Sequence, residues 1–154
     1  KSICKSLDGS CYIYLKDKND TETIEKIKSL IADLPIDFIL EGNEIRDAGG
    51  DEEASFMIEA SLDYYFVDDI YGEVIDEIKD EEVGVKPHRH KATHGYSPKK
   101  ENYTTFFIGS GRGFKKGVVI DKGNLINHGP TLAKILGLKF KDIDGEAVEE
   151  ILNI

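Results

Sequence analysis

Three of the four histidines fall within seven residues, at His88, His90 and His94. Neutral imidazole is the commonest protein ligand for zinc, and a loop can bring such spacings onto one ion. A basic loop such as Lys86-Pro-His-Arg-His90 carries solvated histidines equally well, so the spacing leaves both readings open. Ser110-Gly-Arg-Gly-Phe114 offers backbone N–H groups to an anion. It lacks the Lys-[Ser/Thr] of a P-loop and the full G-x-G-x-x-G spacing, and a tight turn between strands explains it as well. His128-Gly-Pro130 precedes an apolar helical pattern, which fits a capping or surface histidine better than a catalyst. Tyr64, Tyr65 and Phe66 fit a core better than a stacking platform. Cys4 and Cys11 do not make a disulfide scaffold; one bridge between them or two free thiols are both open.

The elements that must position these residues follow from periodicity and punctuation. Cys11-Tyr-Ile-Tyr-Leu15 is a β-prone run, and Asp20 or Thr21 then serves as an N-cap with Glu22 favouring the helix dipole. Ile24, Ile27, Leu30, Ile31 and Leu34 recur at helical spacing until Pro35, and Ile36–Leu40 reads as the next strand. Residues 11–40 therefore form a β-α-β unit. Glu44–Ala48 is one helical turn closed by Gly49-Gly50, and Phe56–Ala60 pairs with Tyr64–Phe66 in a hairpin around Leu62-Asp63. Residues 67–93 read as loop. Thr104–Gly109 and Gly117–Ile120 read as strands. Pro130 opens a helix that Gly137 stops, and Glu146–Leu152 forms a short terminal helix.

The chain has 154 residues, 40% of them hydrophobic and 32% charged, with a net charge of -10. That composition describes a globular protein rather than a disordered one. An acidic balance argues against a partner that is a nucleic-acid polymer, since phosphate neutralisation needs a basic face. No apolar run approaches the ~18 residues of a membrane span. The charge is uneven. Residues 1–80 hold 8 basic and 21 acidic groups, whereas residues 83–141 hold 12 basic groups against only Glu101 and Asp121. The sequence thus divides into an acidic α+β lobe, residues 1–80, and a segment, residues 81–154, whose basic stretch 83–141 could meet an anion. The lobe carries no nucleophile constellation. No signal-peptide pattern is visible, and with no disulfide framework the expected compartment is the cytoplasm.

The second half resembles a known pattern. Thr93-His-Gly-Tyr-Ser-Pro98, then Tyr103–Gly113 with its Phe-Phe-Ile-Gly-Ser-Gly core, then Gly117–Ile120 and His128-Gly-Pro-Thr-Leu-Ala-Lys-Ile-Leu-Gly-Leu138 run in order. They resemble the C-terminal end of the alkaline phosphatase superfamily, in the branch of type I phosphodiesterases and nucleotide pyrophosphatases. There a zinc-binding histidine in a "T-H-G" or "D-H-G" turn precedes an "F-x-x-x-G-x-G" strand and an "(A/G)-P-T-(I/L)-x-x-(I/L)-L-G-(I/L)" helix. Asp142-Ile-Asp-Gly145 resembles the "D-G" after that helix. The resemblance covers residues 91–152, and residues 11–66 resemble, less specifically, the substrate-side insertion of bacterial members.

The resemblance implies an α/β fold: a mixed α+β fragment comprising the C-terminal part of an alkaline-phosphatase-like sandwich with a small α+β insertion lobe. It implies a hydrolase in which two divalent ions, zinc being the expected metal, clamp a phosphate ester or nucleotide and activate a Thr or Ser nucleophile. Carried over residue by residue, only His94 matches a family metal ligand, and Gly95 would let the chain turn beside it. His88 and His90 match no family role. The nucleophile and the other ligands match nothing in this chain, and even a structural zinc site wants four donors. Lys1 stands where an initiator Met would. The expectation is a C-terminal piece of a longer metal-dependent phosphodiesterase or nucleotide pyrophosphatase, inert alone and prone to self-association at an uncovered sheet edge. The alternative is a self-standing, non-catalytic module that binds an anionic ligand or partner through residues 83–141.

Overall fold

The computed structural model describes residues 1–154 as two compact units, Lys1–Tyr103 and Thr104–Ile154. The first is a small mixed α/β unit built on a four-stranded antiparallel sheet in the order β1-β2-β4-β3. Strands β1 (Ser2–Leu7) and β2 (Ser10–Leu15) form a hairpin around Asp8-Gly9, with Leu7 opposite Ser10. Helix α1 (Thr21–Ile31) crosses to β3 (Ile36–Glu41), a one-turn helix α2 (Asn43–Asp47) follows, and β4 (Phe56–Ala60) inserts between β2 and β3. The expected β-α-β unit is present, split by β4: β2 and β3 run parallel because each pairs antiparallel with the strand between them.

The side-chain pattern dictates this layering. Cys11, Ile13 and Leu15 alternate onto one face of β2 and meet Phe56 and Ile58 of β4 and Ile27 and Ile31 of α1, with Ile24, Leu34, Ile36 and Phe66 packed around them. Asp20 caps α1, accepting from the Thr23 backbone N–H at 3.0 Å and from its hydroxyl at 2.6 Å. The helix ends at Ile31, a turn short of Pro35, and Leu30 lies on its solvent side. The residue before a proline avoids helical geometry, so the stop acts upstream of the ring itself.

Several expectations need correction. Strand β1 carries no clean alternation, since all but Ser6 are exposed, and its pairing with β2 decides its conformation. Tyr64–Phe66 is not a strand; the Phe66 N–H donates to the Asp8 carbonyl at 2.7 Å, so the segment returns to the β1–β2 turn instead of pairing with β4. Tyr64 is exposed, and of that trio only Phe66 packs against the core. The compact units divide after Tyr103, not near residue 80. Residues 84–100 are irregular, yet they are bonded onto the first unit by the contacts described below.

The second unit is mostly irregular. Its helix α3 spans His128–Ile135, so Pro130 is its third residue, still within the first turn where a missing N–H costs nothing. Gly137 and Leu138 end it with two backbone bonds, to Lys134 O at 3.1 Å and Ala133 O at 2.8 Å. Thr104–Gly109 and Gly117–Ile120 are not strands, because this chain brings no partner backbone to them; the one bridge in the unit joins Phe114 and Leu152. The terminal helix shrinks to a 3-10 turn, Glu149–Ile151. Only Thr131, Ala133, Ile151 and Leu152 are buried in this unit. No helix is long and apolar enough to cross a membrane.

Candidate functional site

The Thr93-His-Gly95 turn is built against the β1–β2 hairpin turn. The Gly9 N–H donates to the His94 carbonyl at 2.8 Å. Gly95 has φ +88°, and a Cβ there would stand 1.9 Å from the Leu7 carbonyl oxygen, so no other residue allows this approach. Tyr96 lays its ring over Gly9, where a Cβ would meet ring carbons at 2.5 Å. The Thr93 hydroxyl donates to Asp8 Oδ2 at 2.5 Å, and His94 Nε2 lies 3.7 Å from the same oxygen. The backbone of His94 is thus held while its side chain stays 84% exposed.

The other loop histidines are placed differently. The Tyr65 hydroxyl donates to the His88 carbonyl at 2.6 Å and accepts from the His90 N–H at 3.0 Å, which fixes the backbone of both, and its ring lies 6.3 Å from that of His90. His88 has φ +56° and both rings are exposed. His128 opens α3 and packs its ring 4.8 Å from that of Phe107. Nowhere do three His, Cys, Asp or Glu side chains converge as a metal cage. His94 offers one exposed imidazole with the Asp8 carboxylate 3.7 Å away, and no third such donor joins them.

A second polar cluster, which the sequence reading did not single out, fixes the chain just beyond His94. Glu59 sits on the face of β4 opposite the apolar core, 1% exposed, where residues 96–100 cover it. Its carboxylate accepts from the Ser97 N–H and from Lys100 Nζ at 2.9 Å. The Lys100 ammonium, with 7% of its side chain exposed, gives its other protons to Asp37 at 2.6 Å and the Ala60 carbonyl at 2.8 Å, and lies 5.0 Å from the Tyr96 ring. Burial works against the charge of Lys100, but the bonds to Asp37 and Glu59 win and hold its pKa above the ordinary lysine value. The same ammonium, then Ser61, holds the Asp37 carboxyl below the ordinary value. A glutamate at an outward position of a strand and a lysine four residues after Tyr96 look like solvated charges in a sequence; only the covering loop makes them a buried pair.

Five of the twelve basic side chains of residues 83–141 pair with carboxylates inside the chain. Lys86 pairs with Glu82, Arg89 with Asp76 and Glu82, Lys91 with Asp80, Lys100 with Asp37 and Glu59, and Lys134 with Glu149. In the glycine-rich turn, a Cβ on Gly109 would strike the Phe114 ring at 2.5 Å and one on Gly113 would strike Ile135 at 2.9 Å. Those glycines serve side-chain packing. The two cysteines are unbridged, with Cys4 exposed and Cys11 buried. A hydrogen bond from the Cys11 thiol lowers the Cys4 pKa to about 7, and the same bond with burial raises that of Cys11. No family model matches the chain, and neither the curated proteins nor the solved structures provide a match to it.

Proposed function

We propose that this chain supplies the C-terminal, His94-bearing part and the substrate-side lobe of a metal-dependent phosphodiesterase or nucleotide pyrophosphatase of the alkaline phosphatase superfamily. The observation that carries this reading is the Thr93-His-Gly95 turn. Its backbone is clamped by Gly9 and by the Leu7–Gly95 approach, and its imidazole projects free at 84% exposure. That is the state a ligand histidine needs, positioned by its main chain and unspent at its ring. His94 would hold one of two divalent ions, with zinc the metal its imidazole favours; such ions stabilise the attacking and leaving oxygens of an in-line displacement at phosphorus. The remaining donors and the nucleophile would come from a longer parent protein, and this chain alone would be inert.

Surface area gives independent support. A compact chain of 17.2 kDa exposes about 7,800 Å², and two separate compact bodies of these sizes about 9,300 Å². This chain exposes 11,973 Å². The excess carries apolar side chains of the expected strands, among them Phe106, Ile108 and Val119, each over four-fifths exposed. Buried on a catalytic sheet, these segments would gain the strand partners they lack here. In the anion-module alternative, five of the twelve basic side chains of residues 83–141 already face carboxylates, which leaves seven to meet an anion. Free thiols at Cys4 and Cys11 fit a reducing compartment, the cytoplasm.

The test is hydrolysis of a nitrophenyl phosphodiester by the full-length gene product loaded with zinc. His94→Ala should remove at least 99% of the turnover with an unchanged circular dichroism spectrum. A variant that keeps wild-type activity, or a full-length product that hydrolyses no phosphate ester, would overturn the reading.

A further inference from the structure

We propose that Cys4 and Cys11 form a thiol–disulfide exchange site: Cys4 attacks a low-molecular-weight disulfide, and Cys11 resolves the product into a bond that joins β1 to β2. The site is separate from His94, and the register of the hairpin carries it. Cys4 lies opposite Ile13 and Cys11 opposite Ser6, so the cysteines are diagonal neighbours on adjacent strands. Opposed residues share a face of the sheet, as do alternate residues of one strand, which puts both thiols on the side of Ile13 and Leu15. The Cys11 thiol reaches the Cys4 sulfur with a hydrogen bond and lies 3.6 Å from the Tyr12 carbonyl. Their access to solvent differs. Cys4, on the outermost strand, is open to a reagent, whereas Cys11 is 5% exposed and is reached by way of Cys4.

That difference assigns the two roles. The bond from Cys11 stabilises the Cys4 thiolate against burial and the nearby Asp68 carboxylate, bringing its pKa to about 7. The thiolate attacks one sulfur of the reagent, a Cys4–S–S–R bond forms, and RS⁻ leaves. Cys11 then no longer faces a thiolate; with that hydrogen bond and that charge gone, burial is the largest cause still raising its pKa. Cys11 gives its proton to the departed RS⁻, attacks the Cys4 sulfur and expels the second RS⁻, which takes a proton from water. Two protein thiols thus become one disulfide as one R–S–S–R becomes two RSH. Diagonal cysteines place their Cα atoms near the ~7 Å limit for a disulfide, so β1 must move toward β2 as the bond closes. On its other side β1 is held by Ser6, whose N–H donates to Asp68 and whose hydroxyl donates to the Phe66 carbonyl, both at 2.8 Å. A disulfide closed against such contacts is strained and readily reduced, which makes it reversible rather than a permanent staple.

The experiment uses the reduced 154-residue chain and oxidised glutathione at pH 7, near the Cys4 pKa of about 7, with intact mass read after acid quench. The wild type should lose two hydrogens and retain no glutathione. Cys11→Ala should stop at one glutathione on Cys4, formed about threefold more slowly: its thiolate fraction falls about fifteenfold, and the more basic sulfur regains about fivefold in nucleophilicity. Cys4→Ser, a change at an exposed position, should take up no glutathione. Amide resonances of Ser6 and Asp68 should shift on oxidation and return with dithiothreitol. Glutathione that stays on wild-type Cys4, or a disulfide between two chains, would overturn the pairing. A wild type that does not react, or a Cys4→Ser chain that reacts at Cys11 as fast as the wild type, would overturn the site itself.

Discussion

The two compact units carry similar apolar sequences and meet very different fates. In residues 1–103 the apolar residues of β2, β4 and α1 close on one another, leaving Phe56 and Ile58 almost wholly buried. In residues 104–154, runs at least as apolar, Phe106-Phe-Ile108 and Val118-Val-Ile120, stay irregular without a strand partner, and four residues are buried. The difference lies in the availability of a second surface. A strand presents two rows of backbone groups and at least one apolar face, and both need a neighbour. The first unit contains its own neighbours; the second does not, and its short helix cannot cover two strands.

That contrast predicts unequal responses to mutation. The largest effect belongs to the first unit's interior: Phe56→Ala should cost about 3–5 kcal/mol by denaturant unfolding, as buried aromatic truncations do. Lys100→Ala should cost a comparable ~3–5 kcal/mol, because it leaves Glu59 buried with a single backbone donor. A loss below 1 kcal/mol there would mean that the loop opens and hydrates the carboxylate. Replacing Lys100 and Glu59 together by apolar residues of similar size should cost less than Lys100→Ala alone.

Acid should act on the same latch with a definite sign. The folded Asp37 carboxyl lies below its unfolded value, so its contribution is complete above the ordinary carboxylate range near pH 4 and fades as pH falls through the lower folded value. Lys100 is shifted up, so its contribution is complete below the unfolded lysine value near 10.4 and fades at more alkaline pH. Thermal melts should show the contribution of this latch lost below about pH 4 and above about pH 10; Asp37→Asn should remove part of the acid limb.

The smallest effects should fall on the second unit. Ile108→Lys should change stability by less than about 0.5 kcal/mol, the range of surface substitutions, while reducing binding of a hydrophobic dye. A large destabilisation would show that this segment already has a partner. At the hairpin, alkylation of Cys4 should rise with a midpoint near pH 7 while Cys11 stays unlabelled in the folded chain. Cys11→Ala should move that midpoint up toward the ordinary thiol value of about 8.5.

Much of the first unit was legible because its signals are local. The Asp20 cap, the 3.6-residue repeat of Ile24, Ile27 and Ile31, and the alternation of Cys11, Ile13 and Leu15 each act within a few residues. Strand β1 was not legible, since its pairing with β2 rather than its own side chains makes it a strand. The Tyr64–Phe66 hairpin failed for a related reason: turn residues at Leu62-Asp63 do not determine which backbone the chain meets next. The segments 104–109 and 117–120 have strand composition but no strand, because composition cannot supply a partner.

The site divides along the same line. His94 and Gly95 stand out in the sequence only through the family resemblance that Thr93-His-Gly95 carries. The pairing of Asp8 with Thr93, 85 residues apart, and the Glu59–Lys100–Asp37 cluster do not stand out at all. Sequence by itself determined the acidic lobe and its helix, because those follow from composition, capping and periodicity acting locally. Tertiary structure alone decided which five basic side chains of residues 83–141 meet carboxylates, that Glu59 is buried and that Asp8 lies beside His94, because charge pairing and burial depend on which distant backbones come to lie against each other.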